Sequence, residues 1–245
     1  MSGPEETPVN FKATHLVDEA LDAVLPSHCL LCGARGQGAL SLCTACEAEA
    51  PRNTTCCTRC ALPLGTPASL CGRCLRHAPP WDAAWVPFRY EWPLAQLESR
   101  FKFGGDLAAG RTLALLWLAS QPSPEALPEA LVPVPLHRTR LRRRGYNQAL
   151  ELAKPLARHF AVPLLHDALR RTRATHAQTE LTAVQRRRNV RGAFEARFSG
   201  TVPEHVAVLD DVFTTGATLA ECVRVLKKAG AARVDVWALA RAPAR

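Results

Sequence analysis

Apolar positions in the second half of the chain come as short runs, Leu131 to Val134 and Val206 to Leu209 unbroken and Arg233 to Leu239 interrupted by Asp235, set between polar stretches. Runs of this length without alternation are what strands buried on both faces of a parallel sheet require. Helical spacing links them: one predicted helix covers Asn147 to His159, and another opens at the Thr214 turn and continues through Lys228 to a stop at Gly230. With a further strand at Ala193 to Phe198, the order is strand, basic loop, helix, basic segment, strand, strand, helix, strand. That order predicts an α/β fold with a mostly parallel sheet. Upstream, Trp85 to Tyr90 reads as a strand, Pro93 to Phe101 and Leu107 to Ser120 as helices, and Pro122 to Pro128 as a loop. Near the start, Leu16, Val17, Ala20, Leu21, Val24 and Leu25 recur at helical spacing until Pro26 interrupts them.

Between these regions lies a segment with no hydrophobic period, in which cysteine sets the pattern. Cys29, Cys32, Cys43 and Cys46 form C-x2-C-x10-C-x2-C, and Cys57, Cys60, Cys71 and Cys74 repeat it at a displacement of 28 residues. Four thiolates suit tetrahedral zinc, and the repeat predicts two zinc ribbons in tandem. The segment carries too few large apolar side chains to build a core, so the metal supplies folding energy. With four protein ligands each, both ions are structural. Spacing leaves the ligand pairing open, sequential or cross-braced, and Cys56 beside Cys57 is an alternative ligand that breaks the two-residue spacer. The division expected is a helical segment at 1–26, a double zinc ribbon at 27–78 and the α/β domain at 79–245.

The composition, 245 residues with 47% hydrophobic and 22% charged, is that of a folded globular chain and excludes extensive disorder. Met1 to Asn10 lacks the basic start and apolar core of a signal peptide, and the Leu113 to Ala119 run is too short to span a bilayer. The expectation is a cytoplasmic protein without membrane insertion, whose ten cysteines serve metal rather than disulfides. Charge is uneven. The overall balance is +9, yet Arg138 to Arg191 alone holds 14 Arg and Lys against Glu151, Asp167 and Glu180. Arg138, Arg140, Arg142, Arg143 and Arg144 follow a predicted strand end, where bidentate guanidinium groups suit a polyphosphate; Arg171, Arg173, Arg186, Arg187 and Arg188 form a second cluster. A solvated basic face or a nucleic-acid backbone contact fits the same residues.

The stretch VAVLDDVFTTGAT, Val206 to Thr218, carries the chemistry. An apolar strand delivers Asp210 and Asp211 to its end, where carboxylates can accept hydrogen bonds from a polyhydroxylated ligand or approach a hydrated cation. Thr214, Thr215, Gly216, Ala217 and Thr218 then open a helix whose first N–H groups and dipole favour an anion. An ordinary helix N-cap is the alternative reading of the same residues. In open parallel sheets, ligands bind beyond the carboxyl ends of the strands, where this turn falls. Lys102, in FKFGG, reads as a surface lysine or as one projecting toward an acceptor.

The run resembles the ribose-5-phosphate loop of type I phosphoribosyltransferases, in which an acidic pair and a T-T-G-x-T turn bind phosphoribosyl pyrophosphate (PRPP). With the ribbons, PVPLHRTRLRRRGYNQ from Pro133 to Gln148, RTRATHAQTELTAVQRRRNVRGAF from Arg171 to Phe194 and the terminal VDVWALAR, nearly the whole chain is similar to the ComF family, phosphoribosyltransferase-like proteins associated with DNA uptake and natural competence. The resemblance implies Asp210 and Asp211 as catalytic and ribose-binding residues, with Thr214, Thr215, Gly216, Ala217 and Thr218 on the 5-phosphate and Mg2+ accompanying PRPP. Pyrophosphate and a mobile loop then fall to Pro135–Arg144 and Arg171–Asn189, with Arg138, Arg144, Arg171 and Arg186 as contacts. It implies transfer of phosphoribosyl to a nucleobase-like acceptor, if the chain is catalytic. Two other classes stay open: a noncatalytic accessory holding single-stranded DNA, and a PRPP sensor coupled to competence proteins.

Overall fold

A computed structural model describes residues 27–120, 122–173 and 183–243, with the backbone alone at 183, 184, 186 and 187. The helix expected over Leu16 to Leu25 lies outside the described residues. The chain divides into two compact units, Met1–Glu49 and Ala50–Arg245.

In the first unit, Cys29 N donates to Ala34 O at 2.7 Å and Gly33 N to Cys29 O at 2.9 Å, closing a knuckle in which Gly33 has φ +77°. Helix α1 (Thr44–Ala48) follows Cys43 and carries Cys46. In the second unit the same knuckle recurs: Cys57 N donates to Leu62 O, and Ala61 N to Cys57 O. The 28-residue displacement lays Ala61 on Gly33, and Ala61 accepts φ +52° despite its Cβ. Helix α2 (Gly72–Arg76) then carries Cys74.

The thiols assemble sequentially, Cys29, Cys32, Cys43 and Cys46 in one group and Cys57, Cys60, Cys71 and Cys74 in the other. This settles the pairing, and Cys56 is outside both groups. Within each group the sulfurs lie within 4.8 Å of one another, and the Cys32–Cys43 and Cys60–Cys71 pairs approach to 3.6 and 3.7 Å. Tetrahedral zinc with Zn–S near 2.3 Å asks for a separation of about 3.8 Å, so both groups fit the ion.

The remaining elements are β1 (Ala84–Trp85), β2 (Phe88–Arg89), α3 (Leu94–Phe103), α4 (Leu107–Leu118), β3 (Ala130–Pro133), α5 (Arg138–Arg144), α6 (Gln148–Phe160), β4 (Leu169–Arg171), α7 (Ala183–Val190), β5 (Phe194–Ala196), β6 (His205–Phe213), α8 (Ala217–Ala229) and β7 (Arg233–Arg241). The sheet is parallel: β1 and β2 pair in turn along one side of β7, β7 pairs with β6, and β6 with β3. Pro87 breaks the expected Trp85–Tyr90 strand into the two short pieces. The Ala193–Phe198 strand does not join this sheet. Its core, β5, pairs antiparallel with β4, which lies within the expected basic segment.

Val206, Ala207, Val208, Leu209, Val234, Val236 and Leu239 are fully buried, as strands covered on both faces must be. Trp85 packs edge-on to Trp237 at 4.9 Å and tilted on Trp117 of α4 at 5.5 Å, closing the core under β1. Among the described residues no helix is long and apolar enough to cross a membrane.

The second ribbon belongs to the same unit as the sheet and is fastened to it by polar contacts. Asn53 Nδ2 donates to Ala61 O (2.8 Å) and Val86 O (3.1 Å), and Trp81 Nε1 to Arg59 O (2.6 Å). The expected result for Cys57→Ser is the loss of one of two zinc equivalents per chain by metal analysis, with a lower thermal midpoint for the sheet. An unchanged midpoint at one zinc would show that the ribbon does not support the sheet.

Candidate functional site

The site forms where β6 leaves the sheet. The expected strand stops at Leu209, but β6 continues to Phe213, because β7 goes on pairing with it through Asp210↔Ala238, Val212↔Ala240 and Phe213↔Arg241. Both aspartates therefore lie within a strand, where successive side chains point to opposite faces. Asp210 opens on a cleft lined by Val212, Phe213, the Thr214–Thr218 turn and Leu219. Asp211 turns the other way and is buried.

Gly216 is the N-cap of α8, left-handed at φ +74°, and offers no side-chain oxygen to the helix. The competing N-cap reading assigned that task to the Asp and Thr residues; here Thr215 Oγ1 accepts from Ala217 N at 3.4 Å. A Cβ on Gly216 would stand 2.6 Å from Phe213 Cε2 and 3.1 Å from Trp81 Cη2. Both conformation and space therefore demand glycine. Phe213 is held edge-on by Trp81 at 5.4 Å and covered on its face by the Arg241 guanidinium at 4.3 Å. Arg241, 4% exposed, donates through Nε to Cys60 O at 3.0 Å and through Nη1 to Phe213 O at 2.8 Å and to Thr214 O. One side chain thus fixes the zinc knuckle and the start of the turn.

On the other face of β6, Lys102 Nζ lies 2.9 Å from Asp211 Oδ2 and 2.6 Å from Glu98 Oε1. Lys102 is thus neither a surface lysine nor directed at the cleft. Glu98 is fully buried. Burial, and then the Asp211 charge, push the Glu98 carboxyl up to about 7. Asp210 is pushed up to about 8 by burial and by Asp211. For Asp211 burial acts upward, but the Lys102 ammonium and the Val212 N–H outweigh it and hold the carboxyl low.

The arginines divide. The expected basic loop at Arg138 to Arg144 is helix α5, which His137 caps through Nδ1 and Gly145 ends at φ +84°. Arginine is a good helix former, so the run winds up between these two signals. Arg171, in β4, is buried over the Phe194 ring at 5.2 Å, and it interacts electrostatically with Arg140 and Asp210. Arg171 thus lies within electrostatic reach of both Arg140 and Asp210. Arg144 instead covers the exposed ring of Phe103 at 5.5 Å and donates to Gln148 Oε1 at 2.8 Å. Arg138 stands on α5 in the exposed surface. Arg186 is on α7, its side chain outside the described residues, as is the 174–182 part of the expected mobile loop.

Comparison with known proteins accords with these motifs. The double zinc ribbon domain family matches residues 20–75. Competence protein F of Haemophilus influenzae is 42% identical over 176 residues, covering 69% of this chain and 77% of that protein. The chain belongs to the ComF family. Another ComF relative, the DNA utilization protein YhgH of Escherichia coli K12, is 37% identical over 173 residues, 69% of this chain and 76% of its own. Competence protein ComFC of Streptococcus pneumoniae is 26% identical over 154 residues, 63% and 66% of the two chains.

Sequence reasoning missed Glu98 and Arg241. Glu98 had a signal: Leu94, Leu97 and Phe101 mark the buried face of α3, and Glu98 falls inside that stripe with Lys102 one turn on. Arg241 had none, being the last residue of a strand.

Arg241→Met should cost roughly 2–4 kcal/mol in urea unfolding, because it strips the guanidinium donors from the Cys60 and Thr214 carbonyls, while Phe213 O keeps Ala242 N. A loss under about 0.5 kcal/mol would show those carbonyls to be satisfied otherwise. Glu98 gives a pH test in zinc-loaded protein free of Mg2+. Its pKa is raised on folding, so the native state keeps a proton that the unfolded chain releases, and stability falls as pH rises from about 4.5 to 7. Asp210 extends the fall to about 8. Glu98→Gln should flatten the lower part of that slope in thermal melts; an unchanged slope would assign it elsewhere.

Proposed function

We propose that this chain is a PRPP-binding, phosphoribosyltransferase-like protein that serves DNA uptake or utilization. The observation that carries the reading is the cleft at the end of β6, where Asp210 stands beside a Thr214–Thr218 turn held open by left-handed Gly216. A 5-phosphate suits the first-turn N–H groups and hydroxyls of this turn, and the ribose hydroxyls suit the carboxylate. Arg140 and Arg171 carry positive charge to the same side for the pyrophosphate. The names of the relatives, competence proteins and DNA utilization proteins, support the cellular role.

Asp210, an oxygen donor opening on the cleft, fits Mg2+, which takes one or two carboxylates together with substrate phosphates. When bound with PRPP, that ion supplies charge neutralisation on the leaving pyrophosphate. In transfer, the bond from the anomeric carbon to pyrophosphate breaks, its electron pair leaving with pyrophosphate, and a bond to a nitrogen of a nucleobase-like acceptor forms as that nitrogen gives up its proton to water. The chain's part is to orient the ribose and to stabilise the departing charge with guanidinium groups.

Calorimetric titration of the zinc-loaded protein with PRPP and Mg2+ tests the reading. Binding is expected in the parent, with at least a roughly hundredfold loss in the Asp210→Asn/Asp211→Asn variant, the scale of about 3 kcal/mol that charged hydrogen bonds carry. No heat in the parent would overturn it.

A further inference from the structure

The adjacent carboxylates at the site have opposite surroundings. Asp210 Oδ1 accepts from Asp211 N at 2.9 Å, and its carboxyl lines the cleft. Asp211 has both oxygens engaged away from it: Oδ1 accepts from Val212 N at 2.6 Å, and Oδ2 meets Lys102 Nζ at 2.9 Å. The strand dictates this. Because β6 keeps its register with β7 as far as Phe213↔Arg241, residues 210 and 211 stay in the pleat and cannot share a face.

Lys102 in turn is held from behind. It is at the end of α3, one helical turn after Glu98, whose fully buried carboxylate lies 2.6 Å from Nζ. The helix is fixed by Leu94, Leu97 and Phe101, all buried, and Tyr146 OH donates to Phe101 O beside it. The chain of contacts Glu98 Oε1, Lys102 Nζ and Asp211 Oδ2 therefore joins helix α3 to the strand end. A buried ammonium between two carboxylates of fixed position has little freedom to move, and removing either partner strands a charge.

We infer that Lys102, clamped by Glu98, is a positioning residue that fixes Asp211 and the strand end, leaving Asp210 as the carboxylate that faces the ligand. This rests on the phosphoribosyl reading, but it assigns the acidic pair unequal tasks. Asp211 sets where Asp210 points, through the peptide that joins them, and does not itself touch the ribose. Lys102 acts at one remove further and is not a catalytic residue.

The test is a double-mutant cycle on the full zinc-loaded chain, read by PRPP–Mg2+ calorimetry and by thermal melts without ligand. Asp210→Asn should weaken PRPP binding by about a hundredfold without lowering the melting temperature. Lys102→Met and Asp211→Asn should each lower the melting temperature and weaken PRPP by only about tenfold, and the double variant should be little worse than either single one. Lys102→Arg, which keeps the cation, should restore affinity, a recovery that loss of packing alone would not give. Crossing Lys102→Met with Asp210→Asn should be less than additive in PRPP affinity, because Lys102 acts through the placing of Asp210.

The clamp is overturned if the parent binds PRPP while Asp211→Asn abolishes binding as fully as Asp210→Asn and Lys102→Met binds like the parent. It is also overturned if the Lys102 and Asp211 effects on melting simply add. A parent that binds no PRPP overturns the phosphoribosyl reading and the task given to Asp210 with it, whatever the melts show.

Discussion

A single guanidinium at the end of β7 joins three parts of the molecule. Arg241 contacts the carbonyl of Cys60 in the second zinc knuckle, the carbonyls of Phe213 and Thr214 where β6 becomes the turn, and the face of the Phe213 ring. Only arginine suits the task. Its planar fork aims donors in several fixed directions while the flat face lies on an aromatic ring, whereas an ammonium is a point charge that cannot do both. Burial of an unpaired charge would be costly, but here carbonyl oxygens surround it, and the guanidinium supplies donors to the Cys60 and Thr214 carbonyls and a second one to Phe213 O, which Ala242 N also reaches at 3.0 Å. The carbonyls need the cation as much as the cation needs them. Gly216 follows from the same constraint, because the ring that Arg241 and Trp81 hold in place occupies the space a side chain would take.

This gives the two ribbons different weight despite their common pattern. Local knuckle geometry is set by the cysteines and repeats faithfully, down to the left-handed residue at Gly33 and Ala61. What the repeat cannot specify is packing. The second group shares a compact unit with the sheet, and Asn53, Trp81 and Arg241 hold it there; the first group lies in the Met1–Glu49 unit. A zinc site contributes stability wherever its chain is anchored, so the second ion's contribution reaches the turn.

Much of this was legible in the sequence where chemistry and period coincide. The cysteine spacing, the apolar run at Val206 to Leu209 and the turn at Thr214 to Thr218 each follow from a local rule, and the structure places them as those rules require. Legibility failed where the partner is remote. Nothing near Leu209 says that the strand continues, because the continuation depends on Ala238 and Ala240 of β7 pairing across from it. The arginine run at Arg138 to Arg144 read as a loop on charge density, yet capping by His137 and Gly145 made it a helix. Glu98 and Lys102 were recoverable in principle, since a carboxylate inside a buried stripe needs a partner and a lysine follows at the next turn.

The charge balance of the site shows why a basic belt accompanies it. Glu98, Asp210 and Asp211 carry three potential negative charges against the single ammonium of Lys102, and burial raises the first two toward neutrality for want of a second cation. Lys102 is already committed to Asp211 and Glu98, so it has no charge to offer an anion in the cleft. An anionic ligand approaching Asp210 therefore needs positive charge from outside the triad. The helix α8 N-terminus supplies a partial charge, and Arg140 and Arg171 supply whole ones from the segment that holds the chain's net positive balance. A divalent cation arriving with a polyphosphate meets the same deficit from the ligand's side. On the phosphoribosyl reading proposed above, the acidic pair and the arginine belt are two halves of one electrostatic arrangement for a sugar phosphate.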